Sequence, residues 1–515
     1  MLNLPAIAAY LGRFLHHLIG PRGLESTPPL LMSRRTTMDP ILYWNDVALE
    51  ANRVSHTNGA GEQTGPTLSS RALAIVHLAM YDAYAGVRGN PHAPVNLSPY
   101  LPGVPKPQAN ASADAAVAMA AHTTLSLLFP SQKAFFDTKL AQADLSGDNL
   151  QDGYDYGRLV AQKILEKRQE DPSSSDANYT ASLVPGAHRL DPDNLTQGFH
   201  APFYGAESRC FAVTNRHELD APPALDSDDY RQALRQVRGK GIAPDLMGTL
   251  PNDLEPRTPN ETLIGIYWGY DGAAELGTPP RLYNQIVRKV AIARGNTVDQ
   301  NARLFALVNV AMGDAGILAW DQKYIHDLWR PIVGIREGDR SLGPSGTGQS
   351  GELSENADPS WLPLGAPRSN APTPTNNFTP NFPAYPSGHA TFGAAALQMT
   401  RLFYGTTGCG SDNLFDGLTF VSEEFNGITT DSQGTVRPRH VRSFPDGLWQ
   451  MIVENGLSRV YIGVHWMFDA FAVDSSGNPD PSQNIGGMPL GIKIAEDIFT
   501  NGLNLSVIGP RQPHY

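Results

Sequence analysis

The chain has 515 residues, of which 41% are hydrophobic and 17% are charged, so it can form a folded core and is too poor in charge for a disordered chain. The formal net charge is −12, which together with the absence of basic blocks excludes nonspecific nucleic-acid binding. The two cysteines, Cys210 and Cys409, exclude a disulfide framework and a cysteine-based zinc site. No run of about 18 apolar residues lacks a charged or strongly polar group, so no membrane span is expected.

Residues 1–39 are predicted to be an N-terminal extension and a candidate for disorder. They contain Pro5, Pro21, Pro28 and Pro29, and they lack the basic start and the small-residue cleavage site of a convincing signal peptide. A soluble protein is expected. The sequence leaves its compartment open, including secretion or a periplasmic location, and it leaves the oligomeric state open.

Helical periodicity dominates the next part of the chain, which suits one helical bundle. Apolar residues recur at three- and four-residue spacing over 41–56, 69–84, 113–128, 131–145 and 149–167. Between 171 and 259 the pattern dissolves into Pro, Asp, Ser and Asn, with one helix predicted over 228–238. This change places a domain boundary near residue 255.

A second set of helices follows the boundary, and alternating strand patterns are scarce. The predicted helices are 261–276, 280–294, 299–319, 322–329, 388–403, 445–461 and 490–501. The sequence therefore predicts an all-α protein of two four-helix-type bundles, 40–255 and 256–515, with long loops rich in proline and glycine. The longest loop, 337–385, exceeds the usual length of a loop without function.

The first segment of chemical interest places Lys323 seven residues before Arg330 and Pro331. Seven residues make about two helical turns, so both cations are expected on one helix face, about 10.5 Å apart along the axis. Proline disfavours helical backbone at the residue before it, so the helix is expected to end at Arg330. Taken alone, such a pair is usually a solvated helix face.

The second segment runs from Pro386 through Ser387 and Gly388 to His389, ahead of a run of small residues. Its composition is typical of a helix start, where free N–H groups and the helix dipole favour an anion. Glycine permits close approach of an oxyanion to the backbone, and serine adds a hydroxyl donor. The alternative is an ordinary helix cap with a buried histidine behind it.

The third segment contains Arg459, His465 and Asp469. Arg459 and His465 are six residues apart, which is off-register for one helix face. They converge only if the helix ends near Gly463 and His465 begins a new turn. Asp469 follows His465 at i+4 and could support its ring. A lone histidine in this setting is more often a satisfied core residue than a ligand.

The combination of the three segments points to a site for a tetrahedral oxyanion. Two arginines, a lysine, a backbone anion site and two histidines supply charge-assisted contacts worth about 1.5–3 kcal/mol each. Phosphate or one of its analogues is the natural occupant. A single histidine among cations suits an oxyanion better than a bare metal cation, which prefers several histidines or carboxylates.

These segments, KxxxxxxRP, PSGH and SRxxxxxHxxxD, resemble the shared signature of the vanadium-dependent haloperoxidases and the type 2 phosphatidic acid phosphatases. Further segments at 41–46, 50–56, 277–281 and 382–393 resemble the fungal-type vanadium chloroperoxidases. The resemblance covers about residues 40–505, including an N-terminal half that a minimal phosphatase lacks. It implies a vanadate cofactor and the oxidation of halide by hydrogen peroxide to hypohalous acid, with small organic molecules as further acceptors.

The resemblance also implies residue roles. His465 would bond vanadium directly, and His389 would act as the acid–base group when hydrogen peroxide binds. The groups that would hold the vanadate oxygens are cationic or N–H and O–H donors, namely Lys323, Arg330, Ser387, Gly388 and Arg459. Lys323 would additionally polarise the bound peroxide. Asp271 would orient an active-site arginine from behind it.

Trp320 and Phe382 match the aromatic pair of the fungal-type chloroperoxidases, whereas many algal bromoperoxidases have a histidine at the second position. An apolar Phe382 favours a drier halide pocket and competence for chloride. The alternative is that both rings are core packing beside the site. His326 departs from the family pattern and is expected to face solvent, and residues 341–356 form a Gly- and Ser-rich insertion.

Two other functions compete with the haloperoxidase. The first is an acid phosphatase in which His465 forms a phosphohistidine and His389 protonates the leaving group, because vanadate and phosphate share shape and charge. The long N-terminal bundle and the aromatic pair favour the peroxidase. The second is an anion-binding protein without turnover, which would not need His389.

Overall fold

The computed structural model describes residues 38–89, 97–339, 341–344, 346 and 356–511. The predicted N-terminal extension lies outside the described residues except for Met38 and Asp39, and so does most of the insertion predicted at 341–356. The described residues form α-helices and loops with isolated β-bridges and no strand, which confirms an all-α fold.

The helices begin and end close to the positions predicted by periodicity. In chain order they are α1 (Pro40–Ser55), α2 (Gly65–Arg88), α3 (Ala113–Leu128), α4 (Lys133–Gln142), α5 (Leu150–Lys167), α6 (Tyr204–Glu207), α7 (Asp228–Lys240), α8 (Pro259–Tyr267), α9 (Pro279–Ala293), α10 (Val298–His326), α11 (Pro331–Arg336), α12 (Gly388–Phe403), α13 (Gly447–Tyr461), α14 (Met467–Ala470) and α15 (Gly487–Asn501). Side-chain caps explain several starts: Thr297 and Gln300 form a capping box that begins α10.

Two predicted helices, 299–319 and 322–329, are one continuous helix, α10. Asp321, which lies between the two predicted ranges, is held inside the continuous helix by ion pairs with Arg216 and Arg511. A second correction concerns the helix predicted over 261–276. It ends at Tyr267, because Tyr270 and Glu275 adopt left-handed backbone with φ of 55° and 65°.

The prediction that Lys323 and Arg330 share a helix face is wrong. Helix α10 ends at His326, and Asp327 turns the chain out of the helix with a left-handed φ of 45°. Arg330 is the N-cap of α11, and Pro331 occupies the first turn of that helix, where a missing N–H costs nothing. The proline therefore begins a helix instead of ending one.

Helix α10 is the centre of the core and packs against α2 and α12. Among the described residues it is the one helix long and apolar enough to cross a membrane, but 94% of its most apolar window is buried inside the protein. Its C-terminal end carries Trp320 and Lys323 to the site. The domain boundary near residue 255 falls between α7 and α8 and stays a prediction.

Helix α12 places its N-terminus at the site because α15 packs very closely against it. A Cβ atom added at Gly487 would lie 2.4 Å from the carbonyl oxygen of Ser387, and one added at Gly491 would lie 2.4 Å from that of Thr391. Any side chain at these positions would push the helices apart. The end of the long 337–385 loop is joined to the segment after α10, where the Ala384 N–H donates to the Leu328 carbonyl.

Candidate active site

The three sequence segments meet around a cavity of about 70 Å³ at the N-terminus of α12. The predicted site residues that line it are Asp271, Trp320, Phe382, Gly388, His389, Arg459 and His465. Lys323, Arg330 and Ser387 are buried directly behind this lining. Residues almost 200 positions apart in the sequence, from Asp271 to His465, therefore converge, as the oxyanion hypothesis requires.

Lys323 is fully buried, and its ammonium group is surrounded by backbone carbonyls. The Nζ donates to the carbonyls of Pro383 at 2.8 Å, Ala384 at 3.1 Å and Pro386. Burial and then the charge of Arg330 hold the pKa of Lys323 well below its usual value. The three hydrogen bonds fasten the 383–386 segment, which leads directly into the N-terminus of α12.

Arg330 is also buried and joins three segments of the site. Its Nε donates to the Phe382 carbonyl at 2.8 Å, and its Nη1 lies 2.8 Å from the Val464 carbonyl and 2.9 Å from Nε2 of His465. Nη2 is buried and has no hydrogen-bond partner among the described residues. Burial lowers the pKa of Arg330 to about 9. One donor edge of this guanidinium therefore remains open.

Arg459 is held from one side by a carboxylate. Its Nη2 donates to both oxygens of Asp271, at 2.8 and 3.0 Å. Its Nε and Nη1 are buried without a partner in the described part of the chain. Asp271 thus fixes the guanidinium plane and leaves two donors for another acceptor, which agrees with the predicted orienting contact.

His465 begins a new turn after α13, as convergence with Arg459 requires: the helix ends at Tyr461 and Gly463 has a φ of 77°. Its Nδ1 lies 2.7 Å from Asp469 Oδ2. Because Arg330 can only donate, Nε2 must accept, so the ring proton resides on Nδ1 and is donated to Asp469. Burial and the nearby cations hold the pKa of His465 well below its usual value. Nε2 therefore carries the unprotonated lone pair, which accepts from Arg330.

Asp469 is fully buried and anchors that imidazole in place. Its Oδ2 also accepts the Trp466 N–H at 3.0 Å. Burial raises the pKa of Asp469 to about 7, against the lowering influence of Lys323 and Arg330. The carboxylate is thus a fixed acceptor that determines which histidine nitrogen faces Arg330.

His389 lies on α12, and its ring proton is on the other nitrogen from that of His465. Its Nε2 is 3.0 Å from the Gly269 carbonyl, which can only accept, so Nε2 carries the proton. Asp271 Oδ1 lies 3.8 Å from the same nitrogen. Burial and the charge of Arg459 lower the pKa of His389 to about 4. The ring is neutral near pH 7, and its Nδ1 is available as a proton acceptor.

The N-terminus of α12 has the form predicted from its sequence. Ser387 is the N-cap, and its hydroxyl oxygen accepts the Ala390 N–H at 3.4 Å. Its own N–H donates to the Asp469 carbonyl at 2.7 Å. The Gly388 N–H has no partner among the described residues. A Cβ added at Gly388 would meet the Trp320 ring at 3.4 Å, so the glycine keeps this donor close to the cavity wall.

Trp320 and Phe382 form the aromatic side of the cavity, with ring centroids 4.8 Å apart. The Phe382 ring also faces both cations behind the lining, 5.1 Å from Lys323 Nζ and 4.8 Å from Arg330 Cζ. The Trp320 Nε1 donates to the His200 carbonyl at 3.2 Å. The pair is therefore part of the site lining as well as core packing.

Sequence reasoning missed His200, whose ring lies 5.8 Å from that of Trp320 and 6.0 Å from that of Phe382. Burial lowers its pKa to about 4. It lies in the 171–259 stretch that carries no periodic signal, so nothing local indicated it. His326 does not face solvent as predicted: its Nε2 is buried and its ring packs edge-on against Tyr385 at 5.0 Å.

The residues present fit a bound oxyanion. Lys323, Arg330 and Arg459 are buried around one cavity, and the carboxylates beside them, Asp271 and Asp469, are already bound to Arg459 and His465. Three guanidinium nitrogens of Arg330 and Arg459 are buried without an acceptor in the described residues. Buried cationic donors of this kind require an anionic acceptor. A vanadate or phosphate group supplies one.

Comparison with known proteins identifies the family. Residues 33–197 match the model of the vanadium chloroperoxidase N-terminal domain, and residues 303–479 match the VCPO second helical-bundle domain. The vanadium chloroperoxidase of Curvularia inaequalis is 35% identical over 573 aligned positions, which cover 90% of each chain.

Two solved structures share the fold. A bacterial vanadium-dependent iodoperoxidase aligns with a TM-score of 0.62 and 19% identity, covering 90% of this chain and 97% of its own. The holo form of a bacterial vanadium-dependent chloroperoxidase aligns with a TM-score of 0.56 and 16% identity, covering 85% and 92%. This chain therefore belongs to the vanadium chloroperoxidase family, and it is a haloperoxidase that uses vanadate and hydrogen peroxide to oxidise halide.

Proposed function

We propose that this enzyme oxidises chloride as well as bromide, and that His465, Arg330, Arg459, Gly388 and Ser387 hold its vanadate. The observation that carries this proposal is the cavity itself, where open arginine donors and the His465 lone pair lie beside Trp320 and Phe382. The net reaction consumes halide, hydrogen peroxide and one proton and releases hypohalous acid and water. When bound, vanadate acts as a Lewis acid that makes peroxide oxygen electrophilic without a change in oxidation state.

His465 is proposed as the residue that bonds vanadium, through Nε2. The Nδ1 proton is engaged by Asp469 at 2.7 Å, so Nε2 is the unprotonated nitrogen of the neutral ring. Nε2 accepts from Arg330 at 2.9 Å, so a bond to vanadium at this atom would take the place of that contact. Arg330 Nη1 would then be available, with Nη2, as a donor to the anion.

The arginines are proposed to hold the anion's oxygens. Arg459 offers Nε and Nη1, and Arg330 offers Nη2, all of them buried donors without another acceptor in the described residues. Guanidinium groups keep their charge and present fixed donor geometry, which suits an oxyanion better than a flexible ammonium. The Gly388 N–H and the Ser387 hydroxyl complete the ring of donors at the helix N-terminus.

Lys323 is proposed to act through its charge and its hold on the 383–386 segment. Its Nζ is already bound to three carbonyls. Donation to a bound oxygen, or polarisation of peroxide, requires one of those hydrogen bonds to exchange. Three carbonyl acceptors use three N–H donors, which only the ammonium form supplies, so these hydrogen bonds favour the charge that burial disfavours. That charge acts on the cavity without such an exchange.

His389 is proposed as the acid–base residue. Its Nε2 proton is engaged by the Gly269 carbonyl, so Nδ1 accepts the proton that hydrogen peroxide gives up on binding. The same atom returns the proton when the hypohalous acid leaves. A pKa lowered to about 4 keeps Nδ1 unprotonated at neutral pH, and a neighbouring anion raises that pKa toward the working range.

Halide choice is proposed to depend on Trp320 and Phe382. Chloride is more strongly hydrated and harder to oxidise than bromide, so it gains more from an apolar wall that excludes water. Phe382 supplies such a wall and adds no charge that would perturb His389. Freely diffusing hypohalous acid then reacts with small organic acceptors.

The test is halide oxidation by the purified apoprotein and hydrogen peroxide, with and without orthovanadate, in separate chloride, bromide and iodide assays. Phosphate is added as a competitor. We expect vanadate-dependent activity in all three assays, with suppression by phosphate. Activity with bromide and iodide but none with chloride would refute the role given to Phe382. Hydrolysis of p-nitrophenyl phosphate without halide oxidation would indicate the phosphatase chemistry instead.

A further inference from the structure

We propose that Glu424 is a positioning residue that holds the backbone segment 269–271 against both His389 and Arg459. The inference rests on the proposed roles of those two residues in the active site. Glu424 is fully buried and does not line the cavity. It acts through the 269–271 segment, which supplies the acceptors for both site residues.

The 269–271 segment contacts two residues of the site. The Gly269 carbonyl accepts from His389 Nε2 at 3.0 Å, and the Asp271 carboxylate accepts from Arg459 Nη2 at 2.8 and 3.0 Å. Between them, Tyr270 has a left-handed φ of 55°, a backbone conformation that non-glycine residues rarely adopt without support. Small shifts of this segment therefore move the acid–base residue and an oxyanion-binding residue together.

Glu424 supports this segment directly. Its Oε1 accepts the Tyr270 N–H at 3.3 Å, and a Cβ added at Gly269 would lie 2.5 Å from the same oxygen. The carboxylate therefore occupies the space immediately behind Gly269. The adjacent residue adds a second contact, because the Glu423 N–H donates to the Tyr270 hydroxyl at 2.9 Å.

The other oxygen of Glu424 is fixed by two partners from separate segments. Oε2 accepts from Arg437 Nη1 at 2.6 Å and from the Ser369 hydroxyl, and the Arg437 Nη1 also lies 2.8 Å from that hydroxyl. A buried carboxylate with an ionic partner and several donors is held rigidly. The ion pair thus links the long 337–385 loop and the 420–437 loop to the segment behind the site.

The matched test replaces the carboxylate by the isosteric amide, Glu424→Gln, and compares it with Asp412→Asn. Asp412 also forms a buried ion pair, at 2.9 Å from Arg401, but at the far end of α12, about 20 Å along the helix from Gly388. Both variants lose one buried carboxylate charge. Only Glu424→Gln removes support from the 269–271 segment.

The first readout is independent of turnover: calorimetric titration of each apoprotein with orthovanadate and with phosphate. Glu424→Gln is expected to bind both anions about 10-fold more weakly, as is typical when residues that orient ligands are changed. Asp412→Asn is expected to bind like the wild type. The ¹⁵N resonance of His389 Nε2 should move in Glu424→Gln alone, because its bond to Gly269 is weakened.

The second readout is the separate measurement of kcat and of the KM for bromide in the vanadate-bound enzyme. Glu424→Gln is expected to lose about 10-fold in kcat with little change in the KM for bromide, because Trp320 and Phe382 do not contact the segment. A folded Glu424→Gln with wild-type anion affinity, His389 resonance and kcat would overturn the inference. If that variant does not fold, Arg437→Lys is tested instead. It must show the same changes in anion affinity, His389 resonance and kcat, with smaller magnitudes. Wild-type inactivity toward halide would refute the proposed function, whereas the anion titrations would still decide the role of Glu424.

Discussion

The cavity has two walls of different construction. The cationic wall comprises Arg459 and His465, with Arg330 and Lys323 buried behind it. These residues come from α13, the turn that follows α13, the loop after α10 and the end of α10. The aromatic wall comprises Trp320 and Phe382, with centroids 4.8 Å apart. Three nitrogens of Arg330 and Arg459 are buried without an acceptor in the described part of the chain, whereas the aromatic rings pack against each other and the Trp320 Nε1 donates to the His200 carbonyl. The first wall therefore requires a ligand and the second excludes water.

The cationic wall also contains an internal contrast between lysine and arginine. Lys323 gives all its hydrogen bonds to carbonyls of the 383–386 segment. Arg330 and Arg459 use part of their guanidinium groups for anchoring and leave other nitrogens open. The planar group can be held and still bind, because its donors point in different directions. Loss of an arginine should therefore weaken anion binding, and loss of the lysine should loosen the segment.

The largest expected effect is that of His465→Ala. Removing the residue proposed to bond vanadium should cost about 4 kcal/mol of transition-state stabilisation, or about 1,000-fold in vanadate-dependent bromide oxidation. The measurement is kcat/KM for bromide at saturating orthovanadate. His77→Gln is the control, because His77 is equally buried but lies on α2 with Asn45. Comparable losses in the two variants would show that the loss of activity follows from removing any buried histidine and is not specific to His465.

The next largest effect is a loss of orthovanadate affinity that is specific to the arginines of the site and is not seen for a buried arginine elsewhere. Arg459→Lys should weaken orthovanadate binding by about 1.5–3 kcal/mol, roughly 10- to 100-fold, because it removes two open donors and the bond to Asp271. Arg330→Lys should act similarly. Arg401→Lys, which changes a buried arginine paired with Asp412, should leave binding unchanged. Equal affinities for all three variants, determined by calorimetry, would contradict the assignment.

The third expected effect is a pH dependence. Nδ1 of His389 must be unprotonated to accept a proton, and the pKa of His389 is lowered to about 4. Activity should therefore be retained at neutral pH and fall about 10-fold per pH unit below the midpoint. A bound oxyanion stabilises the protonated ring, so phosphate or vanadate should raise the midpoint. NMR titration of His389 in the apoprotein, with and without phosphate, measures both values.

An apoprotein midpoint near the ordinary value of 6.5, unaffected by phosphate, would contradict this account of His389. The kinetic control is His389→Ala, in which kcat/KM for hydrogen peroxide should be low and lose the acidic fall.

The smallest expected effect concerns the aromatic wall. Phe382→His adds a polar, ionisable ring 4.8 Å from Arg330 and should lower the chloride-to-bromide ratio of kcat/KM by roughly 1 kcal/mol, about 5-fold. Vanadate affinity should change little. Phe382→Leu keeps the wall apolar and serves as the control. An unchanged ratio in Phe382→His would assign Phe382 to packing alone.

Local patterns predicted much of this molecule, because periodicity and caps act over a few residues. The bounds of α3 and α12 agree with the prediction, and Ser387 is the predicted cap. The break at Asp327 was not predicted, since its left-handed backbone is imposed by contacts with distant segments, including the bond from the His188 N–H to the Asp327 carbonyl.

The membership of the site was predicted from the three segments, but their connections were not. Nothing in the sequence indicates that Lys323 binds the carbonyls of Pro383, Ala384 and Pro386. These residues lie 60 to 63 positions further along the chain. His200 and Glu424 lie in stretches without periodicity or motif. Their positions depend on tertiary packing, which a local pattern does not encode.

The most direct test of the central claim is to titrate wild-type and His465→Ala apoproteins with orthovanadate and with phosphate. In the proposed site both anions use the arginine donors, but only vanadate is expected to form the additional bond to Nε2. The wild type is expected to prefer vanadate strongly, and His465→Ala is expected to lose that preference while still binding phosphate. A His465→Ala protein that keeps the full preference for vanadate would contradict the account.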